Sequence, residues 1–323
     1  MSAPVLQVRN LCVHYETDAG PVKAAENVTF DLARSERMGL VGESGSGKST
    51  TVLALLRMVT PPGRIRGGQV LLDGADLMAL SPEQMRRMRG SAISLIPQAA
   101  MNSLNPVMRV RDHFYDTILA HDRTMSRAQL AAHTSELVEA VGLRPNVLRM
   151  YPHELSGGMK QRVCIAMGIC LRPKVIIADE PTSALDVVVQ RQVMETLGRI
   201  QRQLEASIIL VGHDMGLMAQ FVDKIGIMYA GRLVELGPVT EVFGLPLHPY
   251  TRLLINTLPS LDAKAVFKGI PGQTPSLLNA PAGCAFHERC PDAVGDCWKA
   301  QHVLTEVLPG RWVACPCHAG AAA

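Results

Sequence analysis

The sequence predicts an α/β fold: a parallel-sheet core with an antiparallel β subdomain, an inserted helical subdomain and a small Cys-rich C-terminal extension. Three observations predict it. A glycine-rich stretch, Gly42-Glu43-Ser44-Gly45-Ser46-Gly47-Lys48-Ser49, stands between an apolar stub, Met38-Gly39-Leu40-Val41, and a helical segment from Thr50 to Met58. Two continuous apolar runs, Val175-Ile176-Ile177-Ala178 and Ser207-Ile208-Ile209-Leu210-Val211, read as central parallel strands, because strands covered on both faces lose the usual alternation. Between them and the glycine-rich stretch, residues 110 to 150 take helix-like spacing at Leu130, Leu137, Val138 and Val141.

Composition bounds the reading. A chain of 323 residues suggests about two domains, and 47% hydrophobic with 19% charged residues supplies a substantial core. A formal net charge of +3 without a basic run argues against nucleic acid as a partner, since such proteins cluster their basic residues. Met1 to Asn10 lacks a signal-peptide pattern, and no apolar run approaches the ~18 residues of a membrane helix. The chain is therefore expected in the cytoplasm, with any membrane role supplied by other chains. Eight cysteines in a reducing compartment argue against disulfides, and five of them lie between Cys284 and Cys317.

The glycine-rich stretch fills every fixed position of the phosphate-binding loop, in the strand-turn-helix setting where that pattern has a mechanism. Backbone N–H groups of Gly42, Ser44, Gly45, Ser46 and Gly47 can converge on phosphate, and the helix that opens at Lys48, Ser49 and Thr50 adds its dipole. Lys48 can reach the β and γ phosphates, and the Ser49 hydroxyl can ligate Mg²⁺. The core is thus expected to be a phosphate-loop NTPase, of RecA-like type. A merely flexible Gly/Ser loop is disfavoured by its setting.

Around the loop the elements follow in order. Val5 to Val8, Cys12 to Tyr15 and Asn27 to Phe30 read as strands about an Asp18-to-Pro21 turn, with Tyr15 placed either to stack on a base or simply to pack. Gln69 to Leu72 is a further strand. Ser81-Pro82-Glu83-Gln84 carries a capping box for a short helix to about Arg89, and Ser126-x-x-Gln129 carries another. Ala92 to Ile96 is a buried-type strand running into a polar loop at Gln98, a glutamine able to reach a metal and a water. Asp179 and Glu180 end the 175–178 strand where open α/β sheets place their chemistry, so Asp179 can hold Mg²⁺ through water while Glu180 faces an attacking water. His213 tops the 207–211 strand and can hydrogen-bond a γ phosphate, although a lone histidine is more often structural. Ile225 to Tyr229 and Leu233 to Leu236 form a hairpin that closes the first domain near residue 243.

With these residues in view, the chain resembles the ATP-binding subunit of an ABC transporter over nearly all of residues 4 to 318. The decisive stretch is Leu155-Ser156-Gly157-Gly158-Met159, similar to the ABC signature, with Met159 where glutamine is commonest. The resemblance implies adenine stacking for Tyr15, the Q-loop for Gln98, the Walker B pair for Asp179 and Glu180, the D-loop for Ser183 to Asp186, and the switch histidine for His213. It also implies a two-subunit sandwich, in which Ser156, Gly157 and Gly158 of one subunit complete the ATP site of the other. Gln98 to Pro106 and Leu247-His248-Pro249-Tyr250-Thr251 resemble the oligopeptide and dipeptide importer branch, although Ala99-Ala100 replaces an acid-proline pair. The implied domains are 1–245, with a helical subdomain at about 99–172, and an extension at 246–323.

That extension resembles the branch's iron–sulfur segment, with Cys284, Cys290, Cys297 and Cys315 as ligands of a [4Fe–4S] cluster. Spacing alone leaves a four-cysteine zinc site open, and Cys317 leaves the fourth ligand open. The segment reads as too poor in apolar area for its own core, so a metal is expected to fold it. Cys12, Cys164 and Cys170 read as buried apolar residues. The family implies a second homologous ATPase subunit, a related chain favoured over an identical copy, two membrane permeases and a solute-binding protein, at the cytoplasmic face of the membrane. Two rivals stand beside the importer ATPase. A soluble ABC ATPase acting on nucleic acid or ribosomes usually carries two ATPase domains per chain, whereas one phosphate loop occurs here. A redox-sensing module with a vestigial site conflicts with the intact Lys48, Asp179, Glu180 and His213. The transported solute, whether dipeptide, oligopeptide, oligosaccharide or nickel complex, is left open.

Overall fold

The computed structural model describes residues 3–98, 103–183, 185–258 and 269–318. The expectations placed on Ala99 to Asn102, on Ala184 and on residues 259–268 lie outside the described residues. Two compact units divide the chain. One holds Ala33–Ser35 and Ala79–Ile209 with the stub ending at Val5; the other holds Leu6–Leu32, Glu36–Met78 and the chain from Leu210 onward.

The second of these units contains the antiparallel sheet. β1 (Leu6–Thr17) pairs with β2 (Gly20–Leu32) and with β4 (Gly63–Leu72), and β4 with β5 (Ala75–Asp76), all antiparallel, in the order β2-β1-β4-β5. Two expected strands, 5–8 and 12–15, are thus one strand. Asn10 adopts φ 49° and the register shifts between Val8 and Leu11, so a bulge stands where a break was read. The bulge also explains why the buried residues step from Leu6 and Val8 to Leu11 and Val13 instead of strictly alternating.

The same unit holds the strand that precedes the glycine-rich loop. β3 (Arg37–Val41) lies parallel to β9 (Lys224–Tyr229), with Met38 opposite Lys224 and Val41 opposite Ile227. β9 turns at Ala230 and Gly231 into antiparallel β10 (Arg232–Pro238), the expected hairpin. β10 does not end the sheet: β12 (Arg311–Val313) pairs with it and β11 (Thr305–Leu308) with β12. Helices α1 (Lys48–Leu55), α7 (Met215–Phe221), α8 (Val239–Gly244), α9 (Pro249–Asn256) and the single turn α10 (Asp296–Lys299) complete it.

In the first unit, β6 (Ile93–Ile96) pairs in parallel with β7 (Val175–Asp179). Val175 to Ala178 are wholly buried, with Val175, Ile176 and Ile177 each contributing roughly 1.5–3 kcal/mol. α2 (Pro82–Met88) and α4 (Arg127–Ala140) both open on the expected capping boxes, Ser81 with Gln84 and Ser126 with Gln129. α3 (Val110–Leu119), α5 (Gly157–Ile169) and α6 (Val187–Leu204) fill the helical portion, and β8 (Ser207–Gly212) begins here. Among the described residues no helix is long and apolar enough to cross a membrane.

The C-terminal strands explain why the tail is ordered. Arg311 and Glu235 are a wholly buried ion pair at 2.7 Å, and the Glu235 carboxylate also accepts the backbone N–H groups of Leu247 and His248 at 2.9 Å. Arg311 further donates to the carbonyls of Glu241 and Leu245. Leu247, Val307, Val313 and Cys315 close a small apolar cluster nearby. The tail has little core of its own, as expected, and packs instead on β10 and the residues before α9.

Breaking a buried pair leaves a charge without its partner, which costs about 3–5 kcal/mol. Arg311→Met is expected to lower unfolding free energy by that amount in urea titration. Replacing both partners at once, Arg311→Met with Glu235→Gln, should cost less than the single change.

Candidate functional site

The phosphate-binding loop is held by backbone packing within its unit. Gly47 caps α1 at φ 97°, and a Cβ there would overlap the Ala24 carbonyl oxygen; a Cβ on Gly42 would overlap that of Met228. Both positions therefore need glycine. Ser46 donates its N–H to the Glu43 carbonyl at 3.1 Å, and its own carbonyl accepts from Gly231 N–H at 3.0 Å. The N-cap of α1 is a glycine, with no side chain of its own to cap the first turn, and such a helix start suits an anion.

Lys48 is buried and folds back on the loop. Its Nζ donates to the carbonyls of Gly42 at 2.7 Å and Glu43 at 2.9 Å, and to Ser46 Oγ at 3.3 Å. The ammonium is thus already seated where phosphates are expected. Ser44 and Gly45 are exposed, while Ser49 and Thr50 are half-buried at the helix start. Tyr15, on β1, is half-buried with one edge of its ring close to Gly63. His213 is exposed at the end of β8, and the adjacent Asp214 caps α7 by accepting Leu217 N–H at 2.9 Å.

In the other unit, β7 carries Asp179 buried at its end and Glu180 immediately beyond it. Gln98 Nε2 donates to Glu180 Oε2 at 2.7 Å, so the structure brings together two residues 82 positions apart that the sequence singles out separately. Glu180 adopts φ 44°, a left-handed conformation that costs a non-glycine residue roughly 1–3 kcal/mol and is concentrated at functional sites.

Ser156 is the N-cap of α5: its Oγ accepts the Met159 N–H at 3.3 Å, and the residue is exposed. Gly157 is half-buried; Gly158 is buried against Val189, where a Cβ would crowd Cγ1. Asp186 caps α6 by accepting Val189 N–H at 3.0 Å. Directly after it, Val187 and Val188 are 80% and 68% exposed.

The cysteines divide as follows. Cys164 and Cys170 are buried, their thiols pushed up to about 12 by burial. Cys12 departs from its expected burial: it is half-exposed, with Sγ near Asn27 Oδ1 at 3.4 Å and accepting Asn27 N–H at 3.3 Å. Cys297 and Cys315 are buried, and Cys284 and Cys290 are half-buried. Burial raises the thiols of Cys284, Cys290 and Cys315, and charge on Cys284 would raise both Cys290 and Cys315 further. Cys284 N–H also donates to the Cys297 carbonyl at 2.7 Å. The donor set suits thiolate ligation, yet among the described residues no three His, Cys, Asp or Glu side chains form a group that could hold a metal ion. Cys317 is exposed.

Sequence reasoning missed the contacts of Glu43. Its carboxylate is paired at both oxygens with Arg289, at 2.8 and 2.9 Å, and accepts Thr274 Oγ1 at 3.0 Å. Its backbone N–H donates to the Tyr250 hydroxyl at 2.9 Å. Arg289 holds the Glu43 carboxyl below the usual range despite partial burial. Tyr229, Tyr250 and Phe286 pack ring to ring beside this pair. The available signal was an acid at a free position of the phosphate loop and an arginine between two of the clustered cysteines.

Comparison with known proteins adds to this geometry. The family described as ABC transporter matches residues 25–183, and that described as oligopeptide/dipeptide transporter, C-terminal region, matches residues 234–297. The dipeptide transport ATP-binding protein DppD of Caldanaerobacter subterraneus subsp. tengcongensis is 44% identical, over 96% of each chain. The oligopeptide transport ATP-binding protein OppD of Escherichia coli is 42% identical, over 96% of this chain and 92% of that protein. Among solved structures, the dimeric ATP-binding cassette MJ0796 bound to ADP and Pi superposes with a TM-score of 0.65 at 24% identity, over 72% of this chain and 98% of that one, a likeness of fold.

A methyl group at position 47 has no room and the wrong φ, the latter alone costing roughly 1–2 kcal/mol. Gly47→Ala is expected to weaken nucleotide binding at least about tenfold, as read by calorimetric titration.

Proposed function

The chain belongs to the oligopeptide/dipeptide family of ABC transporter ATP-binding subunits, an ATPase that powers import, and from that premise we propose which residues carry the reaction and what they assemble with. The observation that carries the catalytic assignment is Glu180, held at a left-handed φ with Gln98 Nε2 on its carboxylate.

Lys48 and the loop amides from Gly42 to Gly47 bind the β and γ phosphates, and the α1 N-terminus adds donors at Ser49 and Thr50. Tyr15 stacks on the adenine. Ser49, Gln98 and Asp179 hold Mg²⁺, which supplies charge neutralisation at the phosphates. Glu180 is the general base: its carboxylate orients a water and accepts its proton, and Gln98 fixes the carboxylate's direction. His213 donates to the γ phosphate.

Two such subunits pair so that Ser156, Gly157 and Gly158 of one face the nucleotide held by the other. The exposed Ser156 at the N-terminus of α5 supports this reading, as do Asp186 and the exposed Val187 and Val188 at the start of α6. The partner is a second, related ATPase subunit. The subunit docks at the membrane's cytoplasmic face, two permeases form the translocation path through the membrane, a solute-binding protein delivers cargo, and peptides are the transported class.

Cys284, Cys290, Cys297 and Cys315 are proposed as ligands of a [4Fe–4S] cluster. The sequence supports this reading through four cysteines in one short Pro/Gly-rich segment, and zinc is the alternative occupant of the same thiolates. The cluster would be structural, because hydrolysis needs no electron transfer and every residue assigned to hydrolysis precedes Asp214.

Glu180→Gln keeps the side chain's shape and removes the base. Turnover is expected to fall by roughly 10² to 10⁴-fold with ATP still bound, whereas Lys48→Ala should lose binding itself. Full turnover by the glutamine variant, paired with an equally substituted partner, would remove the assignment. Anaerobically purified protein should contain about four iron atoms and about four sulfides per chain, lost in Cys290→Ser; one tightly bound zinc without iron would overturn the cluster.

A further inference from the structure

The second position of the phosphate loop presents an electrostatic problem. Glu43 places a carboxylate in the loop that must receive a polyanion, and like charges at such separations repel by kcal/mol amounts even at the effective dielectric of a protein surface. The structure answers it from far along the chain. Arg289 lies 246 residues later, within the cysteine-rich segment, and grips both Glu43 oxygens in the two-pronged geometry that guanidinium and carboxylate favour.

Arg289 is itself built into place. Its side chain is 5% exposed against 25% for Glu43. Nε donates to the Pro271 carbonyl at 2.8 Å and Nη1 to the Tyr229 hydroxyl at 3.1 Å, while the guanidinium lies over the rings of Tyr229 and Phe286 at 5.7 and 5.8 Å. Phe286 is wholly buried and Gly272, at φ 77°, packs on the arginine stem. On the loop side, Glu43 also accepts Thr274 Oγ1, and its backbone N–H is taken by Tyr250. A surface ion pair would have none of this support.

We propose that Arg289 is a positioning residue for ATP binding: by neutralising Glu43, the cysteine-rich segment sets the affinity of the phosphate loop for its nucleotide. The proposal rests on the reading of that loop as the ATP site. Arg289 touches neither phosphate nor water in this arrangement and acts through Glu43. Docking of the tail and readiness of the loop thereby become one equilibrium, since the pair can form only when both are in place.

The test uses four full-length proteins: wild type, Arg289→Met, Glu43→Gln and the double variant. Affinity for ATPγS with Mg²⁺ is measured by calorimetry at low and high salt, and trypsin sensitivity of the tail is followed in parallel. Arg289→Met is expected to weaken binding about tenfold by exposing the carboxylate's charge, with the difference shrinking as salt rises. Glu43→Gln should bind at least as tightly as wild type. The double variant should return to within about twofold of wild type, even where trypsin shows the tail released, because no charge is left to repel the triphosphate. Unchanged affinity in Arg289→Met overturns the proposal, and so does a double variant as weak as Arg289→Met, which would reduce Arg289 to a tail anchor. Failure of the wild type to bind would instead remove the phosphate-loop reading itself.

Discussion

Gly42 and Gly47 press against the carbonyl oxygens of Met228 and Ala24, and this backbone packing is the constraint on which the phosphate-loop unit depends. It fixes where the loop amides point, since no side chain intervenes at either contact. It also ties the loop to β9, which runs parallel to β3, and to β2 of the antiparallel sheet. Lys48 then seats its ammonium on the loop's own carbonyls, so a buried cation is satisfied before any phosphate arrives. Preorganisation of this kind means that binding ATP exchanges one set of partners for a stronger one, with little of the chain left to order.

The unit that carries Glu180 shows a related economy. A wholly buried strand, β7, is rigid enough to hold a left-handed residue at its end, and the strain is offset by burial of Val175 to Ala178. Asp179 ends the strand and Glu180, at φ 44°, leaves it. Gln98, from the end of the neighbouring parallel strand β6, meets the second of them. Parallel strands deliver their carboxyl ends to one edge, and chemistry gathers there.

The C-terminal segment is not an appendage in this structure. β12 joins β10, Arg311 completes a buried pair with Glu235, and Phe286 packs against both Tyr229 and Tyr250. A segment short of apolar residues is ordered here by a few large ones inserted into a core built by others. Its cysteines stand within the same packing, beside the arginine that holds the phosphate loop.

Much of this was legible in the order of residues. The phosphate loop, the acid-tipped strand, the signature, and the capping boxes at Ser81 and Ser126 are local patterns, each set by chemistry within a few positions, and the structure forms each of them where expected. Those patterns sufficed to identify the reaction, because phosphate binding and water activation need fixed residue types at fixed short spacings. What the sequence could not disclose was pairing across distance: the bulge that fuses two strands into β1, the Gln98–Glu180 contact, the strand β12 that extends β10, and the Arg289–Glu43 clamp. Charge and apolarity say that a residue needs a partner, but only the folded path of the chain brings residues 43 and 289 within 3 Å and decides which partner it is.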